Sequence, residues 1–149
     1  MSTFNDDGPD ASPEEVRADE EQLDRESELF YGNVNEFVED RFVYFVNLPA
    51  AGSGRVWCPE WYRHAQALSR LDSLWRAWEH LRFDPALGMS AWWTQHLDPH
   101  WRALTDPVTG PFVNCVGGHG GAEPLPVASP PDGLFTDQRG TASDPLALS

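Results

Sequence analysis

Cys58, His64, His96, His100 and Cys115 are the side chains of this chain best suited to act together chemically. Thiolate and imidazole are the ligands zinc takes in structural sites, so the five form a candidate metal set. The spacing speaks partly against it. The cysteines stand alone instead of pairing as C-x-x-C. His96 and His100 are four apart, but Pro99 between them predicts a break in the helix that would align them. The competing reading is that these residues pack, cap helices or sit on the surface. Asp98 could add an oxygen ligand, although helix capping explains it more simply. Zinc is the one cofactor this set would take; otherwise none is expected.

Other chemistries find less support. Cys58 precedes Pro59 at what reads as a helix start, where thiol pKa values fall. A nucleophilic Cys58 working with His64 or His96 also needs an oxyanion hole and an orienting acid, and the sequence offers neither. Glu60, Asp72 and Glu79 do not form an acid/base pair; Asp72 and Glu79 read as solvated charges among arginines. The stretch GGHGGAE lacks the Lys-Ser/Thr of a phosphate loop and reads as linker. Arg63, Arg70 and Arg76 are too few for a nucleic-acid face. The expectation is a protein that is not an enzyme.

The elements that must position these residues centre on WCPEWYRHAQALSRLDSLWRAWEHLR, residues 57–82, which holds four of the seven Trp. Apolar residues recur at Trp61, Ala65, Leu68, Leu71, Leu74, Trp75, Trp78 and Leu81, in steps of three and four that stack on one side of a helix. Pro59 suits a first helical position, and Asp84-Pro85 marks the end. One long helix, or a short turn followed by a long one, is predicted over about 59–82. Asp72 should pair with Arg76. An earlier helix over about Asn35–Asn47, capped by Asn33 or Asn35, rests on Phe37, Val38, Phe42, Phe45 and Val46; a strand over Arg41–Val46 is the competitor. After FDPALG, Ser90 is expected to cap SAWWTQHL. Asp98-Pro99 then starts PHWRALT, with Trp93, Leu97, Trp101 and Leu104 facing inward. The fold class is all-α: a small bundle of three to four short, aromatic-rich helices.

The flanks differ in character. Residues 1–30 carry 11 acids against 2 Arg, whereas residues 31–112 carry 9 against 7. The predicted organisation is an acidic disordered tail over 1–29, a helical domain over 30–115, and a Gly/Pro/Ser-rich disordered tail over 116–149. A transient helix over Glu14–Glu28 is compatible with the composition there. A formal charge of −14 disfavours direct binding to nucleic acid. Two cysteines do not make a disulfide scaffold. With neither a signal peptide nor a membrane-length apolar run, the expected location is the cytoplasm, without membrane attachment.

Trp57-Cys58-Pro59-Glu60-Trp61, His64, Arg70-Leu71 and Leu74-Trp75-Arg76-Ala77-Trp78-Glu79 have a family look. So do Gly88-Met89-Ser90, Trp92-Trp93, His96, Asp98-Pro99-His100 and Gly110-Pro111-Phe112 with Cys115. Together they resemble the bacterial domain of unknown function numbered 4913, over about residues 34–115. The resemblance implies a cytoplasmic accessory protein of plasmids or other mobile elements in high-GC Gram-positive bacteria, with no assigned activity.

The functional expectation is a non-enzymatic helical interaction module with a protein partner, using Trp61, Arg63, Trp92 and Trp93. These are residue types that dominate binding hot spots. The first rival is a zinc-stabilised structural domain. The second is an acidic DNA mimic or regulator of a DNA-processing partner. The sequence leaves the oligomeric state open.

Overall fold

A computed structural model describes residues 10–140. The parts of the tail expectations that concern residues 1–9 and 141–149 lie outside them. Among the described residues every regular element is helical.

Helix α1, Pro13–Ser27, begins with a reciprocal cap. The Ser12 N–H donates to Glu15 Oε2 at 2.8 Å, and the Glu15 N–H donates to Ser12 Oγ at 3.2 Å. Helix α2 spans 34–45: Val34–Phe37, then a π-helical Val38–Phe42, then Val43–Phe45. Asn33 is its cap, taking the Glu36 N–H at 3.0 Å. Helix α3, Ala65–Leu81, is the long central one. Helix α4 spans 88–104 as Gly88–Ala91, π-helical Trp92–Leu97 and Asp98–Leu104. Helix α3 packs against α2 and against all three parts of α4.

The two π segments explain where helical periodicity misleads. A π turn advances about five residues before returning to the same side. Phe37 and Phe42, five apart, are both buried, as are Trp92 and Leu97. The inward tryptophan of α4 is therefore Trp92, not Trp93, and its indole N–H reaches Leu74 O at 3.0 Å. The expected break at Asp98 is absent: Leu97 and Asp98 are both right-handed helical, and Asp98 makes no cap. The π turn lies immediately before Pro99, whose ring and missing N–H rule out a regular α turn there. Nor does Ser90 cap α4. The cap position is Leu87, without a side-chain bond, and Asp84 instead closes the turn before it by accepting the N–H groups of Ala86 and Leu87.

The start of the central helix also moves. Pro59 and Glu60 lie in a turn, Trp61–Arg63 form a 3₁₀ turn, and His64 is extended, so the helix opens at Ala65. This is the short-turn-then-helix form of the expectation. Arg76 pairs with Asp72 at 2.8 Å as the spacing predicts. Glu79 departs from expectation: only 6% exposed, it is a buried hub. It accepts the N–H groups of Phe30 and Tyr31, the Trp75 indole and Arg82 Nε.

Gly88 carries a testable consequence. A Cβ built there would stand 1.9 Å from Leu81 O, because α4 enters against the last turn of α3. Backbone cannot yield as a flexible side chain can. Gly88→Ala is expected to cost about 3 kcal/mol, the upper end of overpacking penalties. Urea unfolding checks it, and a midpoint equal to wild type would contradict the close approach.

Candidate metal centre

The turn before α3 supplies Cys58 and His64. The loop after α4, turning through residues 111–118, supplies Cys115 and His119. One ligand atom from each of these four residues lies within 4.8 Å of all the others. Cys58 Sγ is 3.6 Å from His119 Nδ1, and Cys115 Sγ is 3.4 Å from His64 Nε2. A tetrahedral zinc with two thiolates and two imidazoles has ligand–ligand edges of roughly 3.4–3.8 Å, given Zn–S of about 2.3 Å and Zn–N of about 2.0–2.1 Å. The observed contacts fall on those edges.

Local backbone explains the convergence. Extended His64 stands just outside the helix it precedes, and its side chain makes no cap bond to it. Gly117 and Gly118 take positive φ values of 81° and 145°, so the chain reverses between Cys115 and His119. Gly120 lies against the Asn114 backbone, where a Cβ would sit 2.0 Å from Asn114 O. Asn114 Nδ2 closes the loop onto Gly121 O at 3.2 Å. The Gly120 N–H points to Cys115 Sγ at 3.4 Å, a donor suited to a thiolate.

Burial sets the electrostatics of Cys58 and His64 in the metal-free protein. Burial pushes the Cys58 thiol up, and its hydrogen bond with Cys115 adds to that; the Glu60 backbone pulls the other way. Burial also holds His64 below the ordinary imidazole value, helped by neighbouring His119 and Arg63. Metal ligation needs the neutral imidazole that this environment favours. Phe112 packs edge-on against the His64 ring at 5.1 Å, walling one side.

Of the five residues proposed as ligands from sequence, three meet here. His96 and His100 are on α4, outside the cluster. His100 Nδ1 instead accepts from Arg70 Nη1 at 3.0 Å. His119 was missed because GGHGGAE reads as linker. Its signal was the C-x-x-x-H spacing from Cys115, with glycines that let so short a loop close. Of the proposed partner-binding residues, Trp61 and Trp92 are buried in the core. Trp93 remains partly exposed, and Arg63 lies at the surface paired with Glu60.

The family model for the domain of unknown function DUF4913 matches residues 31–131. The chain belongs to this family. The match runs past residue 115 and so takes in His119 and the loop that carries it. No curated protein and no solved structure matches this DUF4913 chain. No helix among the described residues is long and apolar enough to cross a membrane.

A pH dependence follows from the two depressed imidazoles. His64 is lowered as described; His100 is lowered by burial first, then by Arg70 and by His96. The unfolded chain therefore binds more protons than the fold below pH about 6.5, so stability falls as pH drops from there toward the folded pKa values. Melting of metal-free protein between pH about 5 and 7.5 should follow that slope. His100→Asn, which keeps an acceptor for Arg70, should flatten it; an unchanged slope would remove His100 from the account.

Proposed function

We propose that this DUF4913 chain is a zinc-stabilised, non-enzymatic helical module. Cys58, His64, Cys115 and His119 bind one structural zinc ion. The observation that carries the reading is the convergence of four ligand atoms of the right kinds within 4.8 Å of one another, two of their contacts at the length of a tetrahedral edge. Their source supports it further. The paired ligands are 51 and 61 residues apart in sequence, so one ion ties the chain before α3 to the chain after α4. Loops of that length gain most from being clipped.

Four protein ligands close the coordination shell, and three of the residues are buried. Catalytic zinc keeps a position open for water; structural zinc does not. The chemistry supplied is thus constraint. The ion would fix the 111–121 loop and, through Phe112, the Trp57 side chain that packs on it at 5.1 Å. A protein partner, rather than a substrate, is what such a scaffold serves.

The test is the metal content of untagged protein together with its melting temperature before and after chelation. One equivalent of zinc and a fall on chelation are expected. At free metal a thousandfold above Kd, binding contributes about 4 kcal/mol. Protein isolated without metal, unable to take up zinc and melting identically with chelator, would overturn the reading.

A further inference from the structure

The face of α2 beyond the metal centre carries an open apolar groove of about 150 Å³, lined by Phe42, Val43, Val46, Leu48, Trp57 and Trp101, with Asn47 at its edge. Leu48 is 79% exposed, and Val43 beside it is 46% exposed. The walls are fixed. Trp57 and Trp101 pack on each other at 5.8 Å, and Phe42 packs on both. Arg55 holds the preceding loop to the end of α4, donating to Thr105 Oγ1 at 3.0 Å.

Two of those walls offer unused donors. The indole N–H groups of Trp75 and Trp92 are taken by Glu79 and Leu74. Those of Trp57 and Trp101 make no hydrogen bond among the described residues, yet neither is sealed from solvent. Aromatic walls with free indole donors are the chemistry that recognises a polyproline II strand. Such a strand has no internal hydrogen bonds, so its carbonyls seek outside donors, and its proline rings fit between aromatic planes.

The chain contains a segment whose proline-rich composition favours that form. Pro124-Leu125-Pro126-Val127-Ala128-Ser129-Pro130-Pro131 has no assigned secondary structure, and all eight residues are exposed. Leu125 and Val127 are 85% and 89% exposed. The family match ends at residue 131, the last of these prolines. The segment does not reach the groove of its own chain, which is lined only by residues from 42–48, 57 and 101. Its start is held elsewhere: Gly121–Pro124 line a separate cleft with Arg63, His64, Ala65, Gln66 and Pro111.

We propose that the aromatic groove binds the 124–131 segment of a second copy of this chain. Reciprocal exchange fills two grooves and closes a twofold dimer, since each copy offers both surfaces. The proline-rich composition keeps the ordering cost low, since each ring already fixes its own φ. The inference stands beside the zinc reading. The two meet at Trp57, which neighbours the ligand Cys58 and lines the groove.

Sedimentation velocity of the full chain, from low-micromolar to near-millimolar concentration, tests it. Two variants on exposed sites are compared: Leu48→Asp in the groove, and Leu125→Asp with Val127→Asp in the segment. The wild type should dimerise reversibly, and each variant should weaken the dimer by about tenfold or more, since each buries a charge in an apolar contact. A mixture of the two variants should form a heterodimer, because one intact groove then meets one intact segment. A monomer at every concentration overturns the proposal, including one whose groove takes a proline-rich peptide from another protein. So does a dimer indifferent to both variants. Zinc-free protein with the expected dimer pattern would sink the metal reading and leave this one standing.

Discussion

His119→Ala should abolish zinc binding and lower the melting temperature by about 15–30 °C, the equivalent of losing about 4 kcal/mol in a domain of this size. Nothing about His119 alone suggests such an effect, since it sits in a glycine-rich loop after the last helix. The argument is its position. His119 Nδ1 faces Cys58 Sγ at 3.6 Å and completes a set whose other three members are buried. Three remaining ligands leave one position to water, and affinity falls steeply. His96→Ala and His100→Ala are the controls: both histidines lie on α4, outside the set, and should keep one equivalent. Cobalt substitution gives an independent readout. The wild type should show the visible bands of a tetrahedral site and the charge-transfer band of thiolate ligation; Cys58→Ser and Cys115→Ser should each weaken the latter. A His119→Ala protein that holds one equivalent of zinc and melts like wild type would remove the loop from the site.

Why three of the four clustered residues were legible in the sequence, and the fourth was not, is a matter of loop physics. Cysteine and histidine types single themselves out, so Cys58, His64 and Cys115 stand out in any reading. His119 is hidden by its setting, because the glycines that signal a linker also permit the tight reversal at Gly117 and Gly118. His96 and His100 attract attention by their spacing, yet spacing along one helix says nothing about what that helix faces. The same holds for the helices. The rough extents of α2 and α3 followed from periodicity, because burial on one side is what periodicity records, whereas the two short helices expected after them are one. The inward choice of Trp92 over Trp93 did not, since a π turn changes the period locally and leaves no compositional mark. Pro99 suggested a break and instead sits inside a continuous helix, just past that turn.

Glu79→Ala should be the most damaging substitution away from the Cys/His cluster, costing about 3–5 kcal/mol, as does removing one side of a buried charged network. From the sequence Glu79 is one more acid on a charged helix face. In the fold, its carboxylate takes the N–H groups of Phe30 and Tyr31, Trp75 Nε1 at 3.1 Å and Arg82 Nε at 3.1 Å. Arg82 Nη2 then donates to Glu28 O at 2.7 Å, so the network fastens the chain before α2 to the end of α3. The alanine leaves an indole, two backbone N–H groups and a guanidinium without their acceptor, in a place water reaches poorly. Glu79→Gln separates charge from shape. It keeps one acceptor oxygen but turns an NH2 group toward donors, and should cost about 1–3 kcal/mol. The order Ala worse than Gln, both worse than wild type, is the expected result in urea unfolding. Arg41 reports the same damage locally. It donates to the Tyr31 hydroxyl at 2.7 Å and lies over the Trp78 ring at 4.5 Å, so a released Tyr31 should alter tryptophan fluorescence before global unfolding. If Glu79→Ala unfolds at the wild-type midpoint, the carboxylate is not what docks residues 28–31, and the aromatic contacts of Phe30 and Tyr31 with Trp78 must carry that junction alone.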